Sequence, residues 1–226
     1  MSVESRLSRG PATPLKEDLM KSILFLSSLV FALSSFAQDT IKFQSPYASV
    51  RDRMDSLSYF ADSYPPNVED SLQLVAAQEF FHSIANDLES LATQFPDSAR
   101  LRLSLGELYK MGHNLDIEGS WKKADLNLKE AIDLDPDSPE AYFTLGLLYV
   151  NSDIRLASKA KDLFKEAIDH SDGHPDPYIY QGLAFANLYQ AKNQDALEAI
   201  DEFLRLKPEN KQGISLRNMI LKKLQR

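Results

Sequence analysis

A short motif built around a glycine recurs along the second half of the chain. It reads LGELY at 105–109, LGLLY at 145–149 and, in a weaker copy, QGLAF at 181–185. The glycines stand at positions 106, 146 and 182, so successive copies lie 40 and 36 residues apart. Recurrence at such a distance predicts an array of equivalent helical units, each of which buries an apolar face against the next.

A second pattern of small and large residues follows each glycine motif. Its members are Ala124, Leu128 and Ala131, then Ala160, Phe164 and Ala167, then Ala196, Ile200 and Phe203. Their spacing places them on one face of a helix. A glycine inside a helix costs about 1 kcal/mol relative to alanine, so its presence indicates that another helix approaches closely. The two patterns together predict paired helices that touch through small residues.

This combination resembles the tetratricopeptide repeat, a helix–turn–helix unit of about 34 residues that ends in a proline. The stretch LDPDSPEAYFTLGLLY at 134–149 is close to the family pattern, and Pro136 and Pro208 occupy the closing position. The resemblance covers about residues 97–208. It implies an all-α fold, a right-handed helical-repeat solenoid of antiparallel helix pairs.

The repeats divide the folded part of the chain into three segments. We predict three tetratricopeptide-like repeats over 96–208, preceded by a helical hairpin or degenerate repeat over 38–95 and closed by a capping helix over 209–226. A terminal cap with a polar outer face is what such arrays require. The second helix of the hairpin is expected to bury Leu72, Val75, Phe80, Ile84, Leu88 and Leu91.

The resemblance also implies a concave groove, lined by the first helix of each pair, in which peptides or helices bind. Counted from each glycine motif, the expected lining residues are Leu103, Glu107, Phe143, Leu147, Asn151, Ile179, Leu183 and Asn187. Family members that capture C-terminal carboxylates use Lys, Arg and Asn at such places, whereas most residues here are apolar. We therefore expect the groove to cover an apolar helix or peptide face. The two asparagines offer hydrogen bonds to a ligand backbone, and a role as helix C-caps explains them equally well.

The stretch MKSILFLSSLVFALSSFAQD begins at Met20 and carries no charge between Ile23 and Ala37. A membrane-spanning helix needs about 20 apolar residues, whereas a short positive start, an apolar centre and small residues at its end are typical of a secretory signal. We interpret 20–37 as a signal peptide and 1–19 as an unstructured leader that precedes the natural start. The protein is then exported, to the periplasm or outside the cell. The alternative is an uncleaved anchor, which would make the chain a membrane-anchored accessory subunit.

The balance of charged residues narrows the classes of partner. The sequence holds 33 acidic residues against 25 Lys and Arg, a formal net charge of −8. Such a chain repels the phosphates of nucleic acid and of anionic lipid. We expect a protein or peptide partner, no nucleic acid and no stable membrane insertion after signal cleavage, with homo-oligomerisation left open. The sequence has no cysteine, which excludes disulfides, thiolate metal sites and a lipoprotein anchored through cysteine.

The stretch HSDGHPD at 170–176 is the most suggestive site for chemistry. His170, Asp172 and His174 are weak candidates for the ligands of a metal-binding module. Asp, Gly and Pro at a junction between repeats are also ordinary turn residues, and we favour that interpretation. The sequence shows no glycine-rich phosphate loop and no histidine in a nucleophile pattern. We therefore predict a noncatalytic interaction scaffold or adaptor without a cofactor.

Export predicts that the mature chain begins at Gln38, because cleavage after the small residue Ala37 fits the signal pattern. N-terminal sequencing and intact-mass measurement of the protein recovered from its native host check this. A mature chain that retains 20–37 would contradict cleavage and support the anchored alternative.

Overall fold

The computed structural model describes residues 43–225, and the predicted leader and the predicted signal segment with its cleavage site lie outside this range. Among the described residues, 43–48 belong to one compact unit and 49–225 to a second. In the first unit, residues 43–48 are helical, and the rings of Phe43 and Tyr47 stack with their centroids 5.1 Å apart. Across 43–225 the regular structure is helical and no strand occurs. In the same range, no helix combines the length and the apolar character that crossing a membrane requires.

Nine α-helices follow one another along the described chain. They are α1 (43–61), α2 (Ser71–Gln94), α3 (Ala99–Asn114), α4 (Ser120–Leu134), α5 (Pro139–Ser152), α6 (Ala157–Asp169), α7 (Pro177–Tyr189), α8 (Asn193–Leu206) and α9 (Lys211–Leu224), with a short 3-10 turn at Ile154–Leu156 before α6. From α2 onward each helix packs on the next, and α5 also contacts α3 and α7. Thus α3, α5 and α7 form one layer, and α4, α6 and α8 form the layer behind it.

Polar side chains fix where the helices of the first layer begin. Ser98, Ser138 and Asp176 each accept a hydrogen bond from a backbone N–H in the first turn of α3, α5 and α7, and this satisfies a donor that has no partner inside the helix. A proline at the first position of α5 and α7 adds a backbone angle already suited to a helix. The start of α4 is different, because Gly119 before it adopts a φ of 77°, which favours glycine.

Glycines in the first layer leave room for large side chains of the second layer. A methyl group at Gly146 would lie 2.6 Å from Cε1 of Phe164, and one at Gly182 would lie 2.5 Å from Cζ of the same ring. Phe164, which is fully buried, is therefore held between glycines of α5 and α7. In the preceding repeat Leu128 takes this place, 2.4 Å from where a methyl group on Gly106 would be. These contacts explain why glycine is tolerated inside three helices.

The last helix docks in the same way. A methyl group at Gly213 in α9 would lie 2.6 Å from Cε1 of Phe203, a buried residue of α8. Asn210 caps α9 by accepting a hydrogen bond from the Gly213 N–H at 2.8 Å. The closing helix is thus packed like the first helix of a further repeat, although its sequence lacks the surrounding motif.

Tyrosines of the glycine motifs bond to acids of the preceding helix pair. Tyr109 donates a hydrogen bond to Glu89 in α2, and Lys123 donates to both, at 2.9 Å to the tyrosine and 3.0 Å to the carboxylate. Tyr149 likewise donates to Asp125 in α4 at 2.6 Å. The third copy has Phe185 at this position, so it cannot make the bond. Tyrosine–carboxylate bonds therefore join the first repeats, whereas other polar contacts join the last pair to α6: Gln190 donates to the Ala157 carbonyl at 3.2 Å, and Lys161 lies 3.7 Å from Asp195.

The Tyr109–Glu89 bond shifts the titration of both partners. Burial raises the pKa of the Tyr109 phenol, and the hydrogen bond to Glu89 raises it further. The same hydrogen bond is the main reason that the pKa of the Glu89 carboxyl is lowered, with Lys123 adding to the effect. The fold therefore favours the ionised carboxylate.

The buried face of α2 differs from the one expected. Ile84, Leu88 and Leu91 are buried as predicted, but Leu72 is 76% exposed and Val75 is 48% exposed. The helix begins at Ser71 with Asp70 as its cap, so these two residues lie in its first turns. The buried face is completed by other residues further along, namely Ala77, Phe81, Ala85 and Ala92.

We expect Gly146→Ala to lower the free energy of unfolding by about 1–3 kcal/mol, because the added methyl group overlaps the Phe164 ring. Urea denaturation measures this. In a Phe164→Leu background the same substitution should cost less, since the smaller side chain leaves room. A Gly146→Ala variant that is as stable as the wild type, or an equal cost in both backgrounds, would contradict the contact.

We expect Tyr109→Phe to lower the free energy of unfolding by about 0.5–1.5 kcal/mol near neutral pH, whereas Tyr59→Phe, at a ring that is 71% exposed, should change it little. Because the pKa of Glu89 is lowered on folding, the stabilisation is present above the unfolded carboxyl's pKa and is lost as pH falls through the folded value. Denaturation at neutral and acidic pH should therefore show the Tyr109→Phe deficit shrinking in acid. A deficit that does not change with pH would contradict the carboxylate's role.

Candidate binding groove

A groove of about 680 Å³ runs over the first layer of helices. Its lining comes from α3, α5 and α7, with residues 51–63 of α1 and the following turn as one wall and Gln212 of α9 at the other end. The helix α5 lies in the middle and contributes the most residues among the three. The groove therefore follows the surface that the first helix of each pair presents.

The floor of the groove is apolar. Phe143, Leu147 and Val150 of α5 form its centre, and Met111 of α3 and Phe185 of α7 extend it on either side. Phe143 is held from behind, because its ring packs against Phe164 with the centroids 6.1 Å apart. The same phenylalanine that joins α5 to α7 thus supports the floor.

The rim of the groove is charged, and its basic groups are paired within the chain. Arg51 forms an ion pair with Glu107 and lies 3.7 Å from Asp55, and Lys110 lies 3.0 Å from Asp62. The pairs with Glu107 and Asp62 also tie α1 and its following turn to α3. Asn114 strengthens the junction by donating to the Ala61 carbonyl at 2.9 Å.

Two further acids stand at the rim where α5 and α7 begin. Glu140 lies in the first turn of α5, and Asp176 caps α7 by accepting a hydrogen bond from the Tyr178 N–H at 2.8 Å. Both are exposed, and neither forms an ion pair with any residue in the 43–225 range. With Asp55, Asp62 and Glu107 they make the lining acidic, since its basic residues are Arg51 and Lys110.

The structure brings half of the expected groove residues together. Glu107, Phe143, Leu147 and Asn151 line the groove. The others lie elsewhere. Leu103 is half-buried in α3 outside the lining, Ile179 is only 2% exposed, Leu183 packs against the core of α8 and α9, and Asn187 is 3% exposed.

The difference on α7 arises from the rotation of this helix. The prediction for α7 assumes that the groove positions of Phe143 and Leu147 recur one repeat later. This assumption holds only if α5 and α7 present the same face to the groove. On α7 the lining residues are instead Tyr178, Gln181 and Phe185. Leu183 lies outside the lining and packs against the cluster that includes Ile200 and Phe203, which Phe185 also contacts. The two aromatic residues seven positions apart are the sequence signal that would have indicated this stripe.

The wall that α1 contributes was also not predicted residue by residue. Arg51, Met54, Asp55 and Ser58 are spaced by three and four residues along one face of the helix and line the groove. The segment 38–95 was expected to be a helical hairpin or degenerate repeat that precedes the array, and in the structure residues 51–63 form one side of the groove.

The candidate metal ligands form a turn. His170 ends α6, where its ring stacks on Tyr142 at 5.3 Å between centroids and its Nδ1 lies 3.5 Å from Asp137. Asp172 and Gly173 have positive φ values of 48° and 78°, as a tight reversal requires, and His174 is exposed. Among residues 43–225 no three His, Asp or Glu side chains converge as metal ligands would.

The helical arrangement is similar to that of known proteins. A family model described as a tetratricopeptide repeat matches residues 117–153, which span α4 and α5. Solved structures share the stacking of helix pairs. The fold is a tetratricopeptide-like helical repeat. No curated protein sequence matches the chain.

Three solved structures illustrate the similarity. The crystal structure of MamA is 21% identical, covers 69% of this chain and 85% of its own, and has a TM-score of 0.55. A thermophilic tetratricopeptide protein from Thermus thermophilus is 20% identical, covers 81% of this chain and all of its own, and has a TM-score of 0.52. A tetratricopeptide repeat protein from Parabacteroides merdae is 13% identical, covers 84% of this chain and 71% of its own, and has a TM-score of 0.51. At these identities the likeness shows the fold alone.

We expect divalent zinc to leave the thermal midpoint of the protein unchanged, because the side chains at the α6–α7 turn do not converge. A thermal melt with and without the metal, in parallel with a His174→Ala variant, measures this. A midpoint that rises with zinc in the wild type but not in the variant would show that the turn binds metal.

Proposed function

We propose that this protein is a noncatalytic interaction scaffold that binds a peptide or an amphipathic helix of a partner protein in its groove. The observation that carries the proposal is the apolar floor of Phe143, Leu147 and Val150 inside a concave surface of a tetratricopeptide-like array. Helix-in-groove recognition buries apolar positions spaced by three and four residues against such a floor. The proposal rests on this site together with fold-level analogy.

The size and chemistry of the groove support this use. Its volume of about 680 Å³ is in the range of ligand sites. Leu147 and Phe143 are only half-buried, so a partner that covers them removes apolar surface from water. The Arg51–Glu107 and Lys110–Asp62 pairs hold the α1 wall against α3, which pre-forms one side of the site.

The polar groups of the groove support a noncatalytic role. The groove lining includes the hydroxyl groups of Ser58 and Ser63. Within the described chain, no histidine lines the groove next to these serines. A serine nucleophile needs a neutral general base within hydrogen-bond reach, and Lys110 of the lining is a cation paired with Asp62 at 3.0 Å. The tetratricopeptide repeat is moreover a fold that typically serves as a scaffold.

We further propose that the protein acts after export, in the periplasm or outside the cell. The support is the signal-like pattern of 20–37, with its short positive start, apolar centre and small terminal residues. The second candidate is an accessory subunit anchored by the same stretch. Both share the groove and differ in whether this segment is removed.

A matched pair of variants tests the groove. Leu147→Glu places a charge on the floor, where it loses hydration when a partner covers it, and Leu126→Glu makes the same change on α4 at a side chain that is 57% exposed and outside the groove. Crosslinked capture from the native host, quantified by mass spectrometry, compares both with the wild type. We expect Leu147→Glu to reduce capture of the principal partner roughly tenfold and Leu126→Glu to leave it unchanged.

Circular dichroism and thermal melting establish that both variants are folded, which the partial exposure of the two leucines favours. Equal capture by wild type and Leu147→Glu would contradict the proposal. Loss of capture in Leu126→Glu alone would place the binding surface on the second layer of helices.

A further inference from the structure

We infer that the partner segment is cationic as well as amphipathic, with an apolar face on the groove floor and Lys or Arg side chains at its rim. This inference rests on the proposed function and names the chemistry of the partner. It follows from the way charges are distributed over the lining.

The basic residues of the lining are already neutralised within the chain. Arg51 is engaged by Glu107 and lies near Asp55, and Lys110 is engaged by Asp62. An anionic partner would have to break these pairs to reach a cation. The groove is therefore unsuited to a carboxylate-rich peptide, whereas its acidic excess attracts one that carries positive charge.

Two acids remain for a partner to engage. Glu140 and Asp176 are exposed at the N-terminal ends of α5 and α7, and within 43–225 neither has a cationic partner. These two acids therefore lie at the same end of the neighbouring parallel helices α5 and α7. A cation that pairs with them would sit beside the floor, where Phe143 and Leu147 receive the apolar side of the same segment.

Tyr178 adds an aromatic face at this end. It follows Asp176 by two residues, is 43% exposed, and is held by packing on Phe203 with the ring centroids 5.5 Å apart. Lys and Arg are attracted to such a face as well as to the neighbouring carboxylate. The net charge of −8 on the whole chain also attracts a cationic segment toward the protein.

Three synthetic helical peptides of about 18 residues provide the probes. They share one leucine face and differ in the polar face, which carries lysine, glutamine or glutamate. Fluorescence anisotropy with the purified protein gives each Kd. We expect the lysine peptide to bind most tightly, the glutamine peptide less tightly and the glutamate peptide most weakly, with the preference for lysine shrinking as salt concentration rises.

A double variant tests whether Glu140 and Asp176 cause the preference for the lysine peptide. Glu140→Gln with Asp176→Asn removes both charges, and asparagine caps a helix about as well as aspartate. We expect it to weaken the lysine peptide roughly three- to tenfold and to leave the glutamine peptide unchanged. The control, Asp162→Asn with Glu209→Gln, removes two exposed charges outside the groove and should bind like the wild type.

The outcomes separate the two proposals. Equal binding of the lysine and glutamine peptides, or an equal effect of the groove and control double variants, would overturn the charge inference and leave the groove as an apolar binding site. Failure of every peptide to bind, or equal binding to the wild type and Leu147→Glu, would overturn the proposed function and the inference with it. Tighter binding of the glutamate peptide would overturn the inference directly.

Discussion

The contact of Phe164 with two glycines is the constraint on which the rest of the array depends. A side chain from α6 fills the space left by missing methyl groups on Gly146 in α5 and Gly182 in α7. One ring therefore sets the distance within a helix pair and the distance to the next pair. Because interiors are close-packed, neither glycine can gain an atom without a shift of the ring or of a helix.

The groove is a consequence of this packing. With α5 and α7 fixed against Phe164 from behind, the opposite faces of these helices are left without a layer to cover them. Phe143 connects the two sides, since it packs on Phe164 and also lines the groove. The polar bonds of Tyr109 and Tyr149 to the preceding pairs then fix how successive units follow one another. The core contact and the groove are thus parts of one structure.

The sequence predicts the helices well because the determinants are local. Each signal lies within a single helix pair: the repeated glycine motif, the alanines that follow it and, for α5, the start at Ser138-Pro139. The structure has helices at the positions that these signals predict. The groove on α7 was predicted less well. Which side of this helix faces outward depends on how it packs against α8 and α9, and the glycine motif transferred from α5 does not specify this contact. On α7 itself, only the spacing of Tyr178 and Phe185 indicates the exposed stripe.

The way α9 packs on α8 is a second feature that the sequence pattern does not predict. Gly213 meets Phe203 as Gly182 meets Phe164, but it is surrounded by residues that do not repeat the LGxxY pattern, so the periodicity offers no reason to single it out. The charge of the groove was missed for a related reason. Acids of α1, α3, α5 and α7 lie far apart in sequence, and only the fold brings them to one rim.

Methyl NMR of the leucines tests the central claim most directly, because it reports on individual side chains of the wild-type protein. The protein would be labelled at its leucine methyl groups and titrated with the lysine-faced peptide. The account predicts that the Leu147 resonances shift with the titration while those of Leu126, on the second layer, do not. Shifts confined to Leu126 or to the leucines of α9, with Leu147 unchanged, would contradict the groove as the binding site.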